Sequence, residues 1–264
     1  MNKYNRILQK VDFRNPTDIH KYSRLFAGNV FGFLHTKING DNLTIYRSRL
    51  HSTPNTLYTN YNELMSPPKS VCPLGRANYP GEPIFYASDR ISTTIEECKP
   101  YKNNFISTIE LDINKDELEI MILGRINRYE IDQSQLSPES IEINNFLDQE
   151  LRKVIDQNNK LDYYKTATFF QSQTPNLDNS IDAIIYPSVA SKLKGDNYIF
   201  SQEFINKNSF FKSLIVSQII DIDENGNYIT ECKFKSYKLS EEKDFVYARI
   251  LNCEGHNFID EEYH

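Results

Sequence analysis

Two arginines on one short segment could bind an anion. Arg47 and Arg49 stand in TIYRSRL, which reads as a β-strand, and residues two apart in a strand point to the same face. Guanidinium groups bind phosphate and carboxylate oxygens through paired hydrogen bonds. The pattern predicts an anion pocket or an inward ion pair. Taken alone, it favours a third interpretation, the solvent face of an edge strand.

Other polar residues follow strand-like segments. Tyr86 ends one strand, and Glu96 and Glu97 lie near the end of the helix predicted after it. Adjacent residues on a helix point about 100° apart, so only one glutamate can face a site; pattern alone predicts that both are surface charges. Ser188 follows the apolar strand AIIYP, where a site residue or a plain Pro-Ser turn would fit. His51, beside the arginines, fits a structural histidine better than a site residue.

The connection between the arginine strand and the next strand is stiffened by proline. Five of the chain's 11 prolines fall between Pro67 and Pro83, around the sequence GRANYPGEP. A long connection within a compact domain is usually functional, and a rigid one usually holds something in place. We therefore expect residues 51–83 to form a loop that contributes to a binding site.

The elements that must position these residues follow no regular alternation. We predict short helices between residues 3 and 28, a hairpin-type turn at 39–42, strands at 43–50, 84–87, 104–111 and 118–123, a helix capped by Asp89 and ending near Cys98, a long helix from Ser137 to about Ile155, a helix at 162–171, a strand in DAIIYPS and further strands in the C-terminal third. This order indicates an α+β fold with a mixed or antiparallel sheet.

Composition predicts a soluble, cytoplasmic, single-domain protein over residues 1–264. Hydrophobic residues make up 39% of the chain, and no segment has the roughly 18 consecutive apolar residues of a membrane helix or the apolar core of a secretory signal. The net charge of −6 does not support general binding to nucleic acid or to an anionic membrane. Four cysteines without a CxxC pair or clustered histidines argue against a zinc site.

The joint order of these motifs resembles the RES-domain family, named for its Arg, Glu and Ser. The matching segments are YRSR, GRAN, PG, the aromatic strand ending at Tyr86, TTIEECKP, and YPSV followed by GDN. The resemblance covers about residues 43–202, leaving a helical N-terminal extension at 1–30 and C-terminal strands at about 205–252. Thr94 stands where the family commonly has alanine.

The resemblance implies an ADP-ribosyltransferase-like fold and an enzyme that consumes NAD. Characterised members cleave the bond between nicotinamide and ribose by phosphorolysis or hydrolysis, and several are toxins of toxin–antitoxin pairs. NAD would be a substrate rather than a cofactor, inorganic phosphate a potential co-substrate, and a protein antitoxin a potential partner, with no metal required. By position, the resemblance assigns catalytic roles to Arg47, Tyr86, Glu97 and Ser188, and substrate contacts to Arg49, Arg76, Asn78 and Asn197.

Two other functions fit the same residues. The protein could transfer ADP-ribose to a protein or nucleic acid, in which case a modified macromolecule would form instead of free ADP-ribose or its phosphate. Alternatively, it could be a non-enzymatic module that binds a nucleotide or a partner protein. Retention of all four catalytic-type residues argues against that alternative, since a decayed site would have lost some of them.

Overall fold

A computed structural model describes residues 34–253, apart from 42, 52, 54–55, 125–135, 155–159, 174–176 and 178, together with 256–263 and six positions between 10 and 21. The predicted N-terminal helices fall almost entirely outside these residues. No helix in the described part of the chain is long and apolar enough to cross a membrane. The single-domain assignment stays a prediction.

The described chain contains eleven strands and four α-helices. The strands are β1 (Leu34–Asn39), β2 (Thr44–Leu50), β3 (Phe85–Ser88), β4 (Phe105–Ile113), β5 (Glu117–Ile122), β6 (Ala183–Pro187), β7 (Asp196–Phe200), β8 (Ser209–Ile222), β9 (Tyr228–Leu239), β10 (Phe245–Cys253) and β11 (His256–Tyr263). The helices are α1 (Ile91–Cys98), α2 (Pro138–Leu151), α3 (Lys160–Gln173) and α4 (Gln202–Asn208). Two short 3₁₀ turns, Tyr61–Leu64 and Lys69–Val71, interrupt the proline-rich loop.

All the strands belong to one sheet, in the order β1-β5-β6-β7-β3-β2-β4-β8-β9-β10-β11. The pair β5–β6 is parallel, and the helices α2 and α3 lie in the long connection between these two strands, as a parallel pair requires. The remaining neighbours pair antiparallel. The α+β prediction with a mixed sheet is confirmed.

The sheet is nearly divided between β2 and β3. These strands share a single residue pair, Tyr46 with Ser88, whereas β2 pairs with β4 along its whole length, from Thr44 to Leu50. One part of the sheet therefore contains β1, β5, β6, β7 and β3. The other part contains β2, β4, β8, β9, β10 and β11. Where β2 and β3 diverge, the sheet leaves a cleft.

Apolar alternation along the strands explains how the helices cover the sheet. In β5, Ile120 and Ile122 enter a central cluster, while Met121 points to the opposite face and packs against α2 and α3. The helix α1 covers the other part of the sheet through a small cluster centred on Ile95 and Ile106. Both faces of β6 and β7 are buried as a result.

Three local predictions were wrong. The turn after β1 forms, with the Leu43 amide donating to the Gly40 carbonyl at 3.0 Å, but β1 pairs with β5 rather than β2. Gly40 packs so tightly on the turn before β5 that a Cβ would lie 2.1 Å from the Lys115 carbonyl oxygen, a contact on the side of β5 that the turn residues alone do not reveal. Arg90, not Asp89, occupies the N-cap of α1, and it forms no side-chain capping bond. The helix α2 ends at Leu151 rather than near residue 155.

Candidate functional site

A cavity of about 360 Å³ opens where β2 and β3 separate. Its size falls within the range of small-molecule sites, which begins at roughly 300 Å³. Five of the eight residues predicted for the site line it: Arg47, Arg76, Tyr86, Glu97 and Asn197. The other three, Arg49, Asn78 and Ser188, do not line the cavity, although Asn78 and Ser188 are hydrogen-bonded to the lining residues Tyr86 and Glu97. The structure therefore gathers residues that are up to 150 positions apart in the chain (Arg47 and Asn197).

One carboxylate oxygen of Glu97 is held by two hydrogen bonds. The Ser188 hydroxyl donates to Oε1 at 2.6 Å, and the Asn197 side-chain amide donates to the same oxygen at 2.7 Å. Within the described residues, Oε2 has no recorded hydrogen-bond partner. Two donors therefore fix the orientation of the carboxylate and leave one oxygen available to a ligand.

Ser188 lies in the turn between β6 and β7, and Asn197 lies in β7 directly after that turn. The Ser188 amide donates to the Gly195 carbonyl at 3.0 Å, and the Ser188 hydroxyl accepts the Ser191 amide at 3.2 Å. The hydroxyl proton is therefore directed at Glu97. Asn197 lies in β7 opposite Tyr186 of β6 and Ser88 of β3, so strands on both sides hold its backbone.

Close packing brings this turn against α1. A Cβ on Gly195 would lie 2.0 Å from the Thr93 Oγ1, so only glycine fits at this approach. Thr93 belongs to the helix that carries Glu97. The contact therefore sets the distance between the glutamate and its two donors.

Arg47 bridges the divergent strands from β2. Its Nε donates to the Leu64 carbonyl and its Nη1 to the Tyr86 carbonyl, each at 2.9 Å. Its guanidinium carbon also lies 5.1 Å from the centre of the Phe85 ring. Burial, and secondarily the charge of Arg49, lower the pKa of Arg47 to about 10. Arg47 thus remains a cation at neutral pH, and within the part of the chain that the structure describes its Nη2 has no hydrogen-bond partner.

The second and third arginines have structural partners. Arg49 donates from Nη2 to the Met65 carbonyl at 3.0 Å. Arg76 donates from Nη1 to the Leu151 carbonyl at 3.3 Å and from Nη2 to the Lys153 carbonyl at 3.2 Å. Arg76 therefore ties the proline-rich loop to the end of α2 while it lines the cavity.

The proline-rich loop holds Tyr86 in place. The Tyr86 hydroxyl donates to Asn78 Oδ1 at 2.8 Å and accepts the Ala77 amide at 2.9 Å. The Asn78 amide in turn donates to the Pro73 and Tyr79 carbonyls at 2.8 and 2.9 Å. Burial raises the pKa of Tyr86 above its ordinary value. Tyr86 therefore presents a neutral ring to the cavity, and Asn78 supports it from behind.

Two other sequence candidates lie away from the cavity. Glu96 lines a separate cavity of about 290 Å³ on the other flank of α1, and burial raises its pKa. Buried His51 is bonded through Nε2 to the Ser107 hydroxyl at 2.8 Å and packs edge-on against Tyr58. Burial lowers the pKa of His51, which fits a neutral structural histidine.

Sequence reasoning missed several residues of the cavity wall. Ser48, Thr94, Cys98, Tyr163 and Tyr186 line the cavity but were given no role. Burial raises the pKa of Tyr186 well above its usual value, so its hydroxyl stays protonated beside Asn197. Ser48 could have been identified from the sequence, because it lies between Arg47 and Arg49. Within the described residues, no group of His, Cys, Asp and Glu side chains could hold a metal ion.

Comparison with known families follows the same segment of the chain. A profile of the RES domain matches residues 44–207, which is more than half of the sequence. The matched segment begins with β2 and ends in α4, and so contains every residue discussed above as a site candidate. No curated protein matches the chain. RES domains are associated with NAD-related toxin function. This chain belongs to the RES-domain family.

Proposed function

We propose that the protein cleaves NAD at the bond between nicotinamide and ribose. The observation that carries the proposal is the arrangement at Glu97, which lines the cavity and whose Oε1 is held by Ser188 and Asn197, while within the described residues Oε2 has no hydrogen-bond partner. A carboxylate held in this way can accept a hydrogen bond from a ribose hydroxyl. It can also stabilise positive charge on the sugar.

The proposed reaction needs such a group because departure of nicotinamide develops positive charge on the ribose. The bond between C1′ and the ring nitrogen breaks, and its electron pair returns to the nitrogen, which becomes neutral nicotinamide. An oxygen of phosphate or water then bonds to C1′, and a proton leaves if water is the nucleophile. The intervening sugar resembles an oxocarbenium ion, as in other glycosyl transfers. Glu97 acts on this charge.

Arg47 supplies the complementary charge. Its guanidinium is preorganised by the Leu64 and Tyr86 carbonyls, so little ordering is required when an oxyanion binds. We assign it the pyrophosphate of NAD or the attacking phosphate, with Arg76 as a second cation on the wall. Ser188 acts through Glu97, and Tyr86 provides a ring surface.

The cellular part of the proposal is a toxin that depletes NAD in the cytoplasm and is restrained by a protein antitoxin. Its support is the association of the family with NAD-related toxins. The ADP-ribosyltransferase-like architecture is part of the same proposal, supported by the two-part mixed sheet with the cavity at its division.

The direct test is product analysis by mass after incubating the purified protein with NAD, with and without phosphate. We expect free nicotinamide, together with ADP-ribose or its 1-phosphate depending on the nucleophile. Replacing Glu97 by glutamine should lower the rate by about 100-fold or more, because one preorganised electrostatic contact to a transition state is typically worth that much.

Glu96→Gln is the matched control, since the neighbouring carboxylate faces the other flank of α1. It should leave the rate within about twofold. Folded wild-type protein that released no nicotinamide would refute the proposal. Label from NAD found on a macromolecule, without free ADP-ribose or its phosphate, would favour transfer instead.

A further inference from the structure

Three hydroxyl groups, on β2, α1 and β4, form a chain with a fixed direction. Thr94 Oγ1 donates to the Ile91 carbonyl at 2.8 Å. The Ser48 hydroxyl oxygen lies 2.7 Å from Thr94 Oγ1 and 2.7 Å from Thr108 Oγ1. A hydroxyl has one proton and two acceptor sites. Because Thr94 has used its proton, Ser48 donates to Thr94, and Thr108 donates to Ser48.

The neighbouring thiol is also committed as a donor. Cys98 lines the same cavity, and its Sγ donates to the Ser48 carbonyl at 3.4 Å. Burial raises the pKa of the Cys98 thiol to about 11, so it keeps this proton at neutral pH. The side chains of Ser48, Thr94 and Cys98 therefore offer a ligand oxygen and sulfur acceptors but no spare polar hydrogen.

This accepting corner lies next to the reactive carboxylate. Thr94 and Glu97 are three residues apart on α1 and so share one face of the helix. Positions three residues apart are separated by about 4.5 Å along the helix axis. A small planar ring attached to a ribose at Glu97 would reach Thr94 and Ser48.

We infer that Ser48 and Thr94 form the subsite for the carboxamide of the nicotinamide ring and select the amide over the corresponding acid. The inference rests on the proposed function. A carboxamide presents two N–H donors, which match two accepting oxygens. A carboxylate presents only acceptors, so nicotinic acid would place lone pairs against lone pairs in a partly buried corner.

Arg47, one of the cations that line the cavity, does not reverse this preference. Arg47 and Ser48 are adjacent in β2, so their side chains leave opposite faces of the strand. Arg47 is directed toward the Leu64 and Tyr86 carbonyls, whereas Ser48 is directed toward Thr94. The anion-binding group and the accepting corner therefore serve different parts of a ligand.

The test compares NAD with nicotinic acid adenine dinucleotide, which differs only in the amide. For the wild-type protein we expect kcat/KM to be at least about 100-fold higher for NAD, because a site built for hydrogen bonds rejects an analogue that cannot make them. Equal values, or a preference for the acid, would overturn the inference while NAD cleavage still supported the proposed function.

The same preference can be measured without turnover. Calorimetric titration of the Glu97→Gln protein with both dinucleotides should give a dissociation constant at least tenfold lower for NAD. Binding of both with equal affinity would contradict the accepting corner. Absence of nicotinamide release by the wild type, with this binding preference intact, would contradict the proposed function alone.

Substitutions test whether Ser48 and Thr94 cause the preference for NAD over its acid analogue. Ser48→Ala should lower kcat/KM for NAD by about 3- to 10-fold through KM, as loss of one neutral hydrogen bond predicts, and Ser48→Ala with Thr94→Val should reduce the preference for NAD at least tenfold. Ser92→Ala is the control, an exposed α1 hydroxyl that lines the other cavity. A double variant that folds, by circular dichroism, and keeps the wild-type preference would refute the assignment.

Discussion

The pairs β6–β7 and β8–β9 are both antiparallel, yet their polar residues differ in exposure to solvent. Every residue of β6 and β7 is buried, and polar Asn197 lies within this pair. Most of β9 is partly or fully exposed, and even large apolar side chains such as Ile229 and Tyr237 are about half exposed there. Polar residues of β9 can be satisfied by water, whereas those of β6 and β7 require protein partners.

This difference teaches how to separate functional polarity from solvated polarity. Ser188 and Asn197 are almost completely buried and spend their hydrogen bonds on one carboxylate. Hydrogen bonds to a charged group contribute about 1.5–3 kcal/mol each, and a buried polar group left without a partner costs a similar amount. By contrast, the Lys233–Glu231 ion pair of β9 is partly exposed, and such pairs contribute about 0–1 kcal/mol.

The largest effect should follow from placing a second carboxylate beside Glu97, at the start of β7. Asn197→Asp keeps the shape of the side chain but replaces the donor to Glu97 with a like charge. We expect the rate of nicotinamide release to fall by about 100-fold or more and the unfolding free energy to fall by about 2 kcal/mol. Steady-state kinetics and urea denaturation measure the two effects.

Asn206→Asp provides the control for that substitution. Asn206 is exposed on α4 and its Oδ1 accepts a hydrogen bond from Gln202, a role that an aspartate can also fill. Both measurements should stay near wild type. If Asn197→Asp behaved like this control, the contrast between buried and exposed polar residues would carry no functional meaning.

A smaller effect is expected when the turn is pushed away from α1. Gly195→Ala would set a Cβ 2.0 Å from Thr93 Oγ1, so the turn or the helix must shift. Overpacking of this kind costs about 1–3 kcal/mol, and we expect nicotinamide release to slow by about tenfold. Thermal denaturation and kinetics of the single variant measure this.

The double variant Gly195→Ala, Thr93→Ala distinguishes packing from other causes. It removes the oxygen and methyl group that the new Cβ would meet, so both stability and rate should recover in part. Additive losses in the double-mutant cycle would show that the two residues do not interact.

The smallest effect is expected for the partly exposed strand β9. Replacing Glu231 and Lys233 together by glutamine removes the ion pair on β9. We expect the unfolding free energy to change by less than about 0.5 kcal/mol and the rate to remain unchanged. A loss of rate comparable with that of Gly195→Ala would mean that β9 contributes to the site.

The grouping of the main candidate residues in one cavity could be predicted from sequence because their motifs occur in a fixed order. Arg47, Tyr86, Glu97 and Asn197 reach one cavity as expected, and Glu97 rather than Glu96 faces it. The role of Asn78 as a support could not be predicted. It depends on Tyr86, eight residues along the chain, being brought back against the loop.

The rest depends on contacts between distant segments. The direction of the hydroxyl chain follows from a helix carbonyl at Ile91 and from Thr108 on a neighbouring strand, and neither partner is visible in the local pattern. The partner of β1 was mispredicted for a similar reason. Local turn chemistry at residues 39–42 cannot report that Gly40 docks against Lys115.

Arg47 has a consequence for the interpretation of genetic screens. Its bond to the Tyr86 carbonyl joins β2 to β3, which share only one backbone residue pair. The side chain therefore helps to hold the two parts of the sheet together. When the proposed NAD-depleting toxin is screened for loss of growth inhibition, a substitution at this position would report separation of the two parts of the sheet together with any loss of chemistry. Glu97, anchored through Ser188 and Asn197 and not through the backbone of the joint, is the cleaner choice for an inactive reference protein.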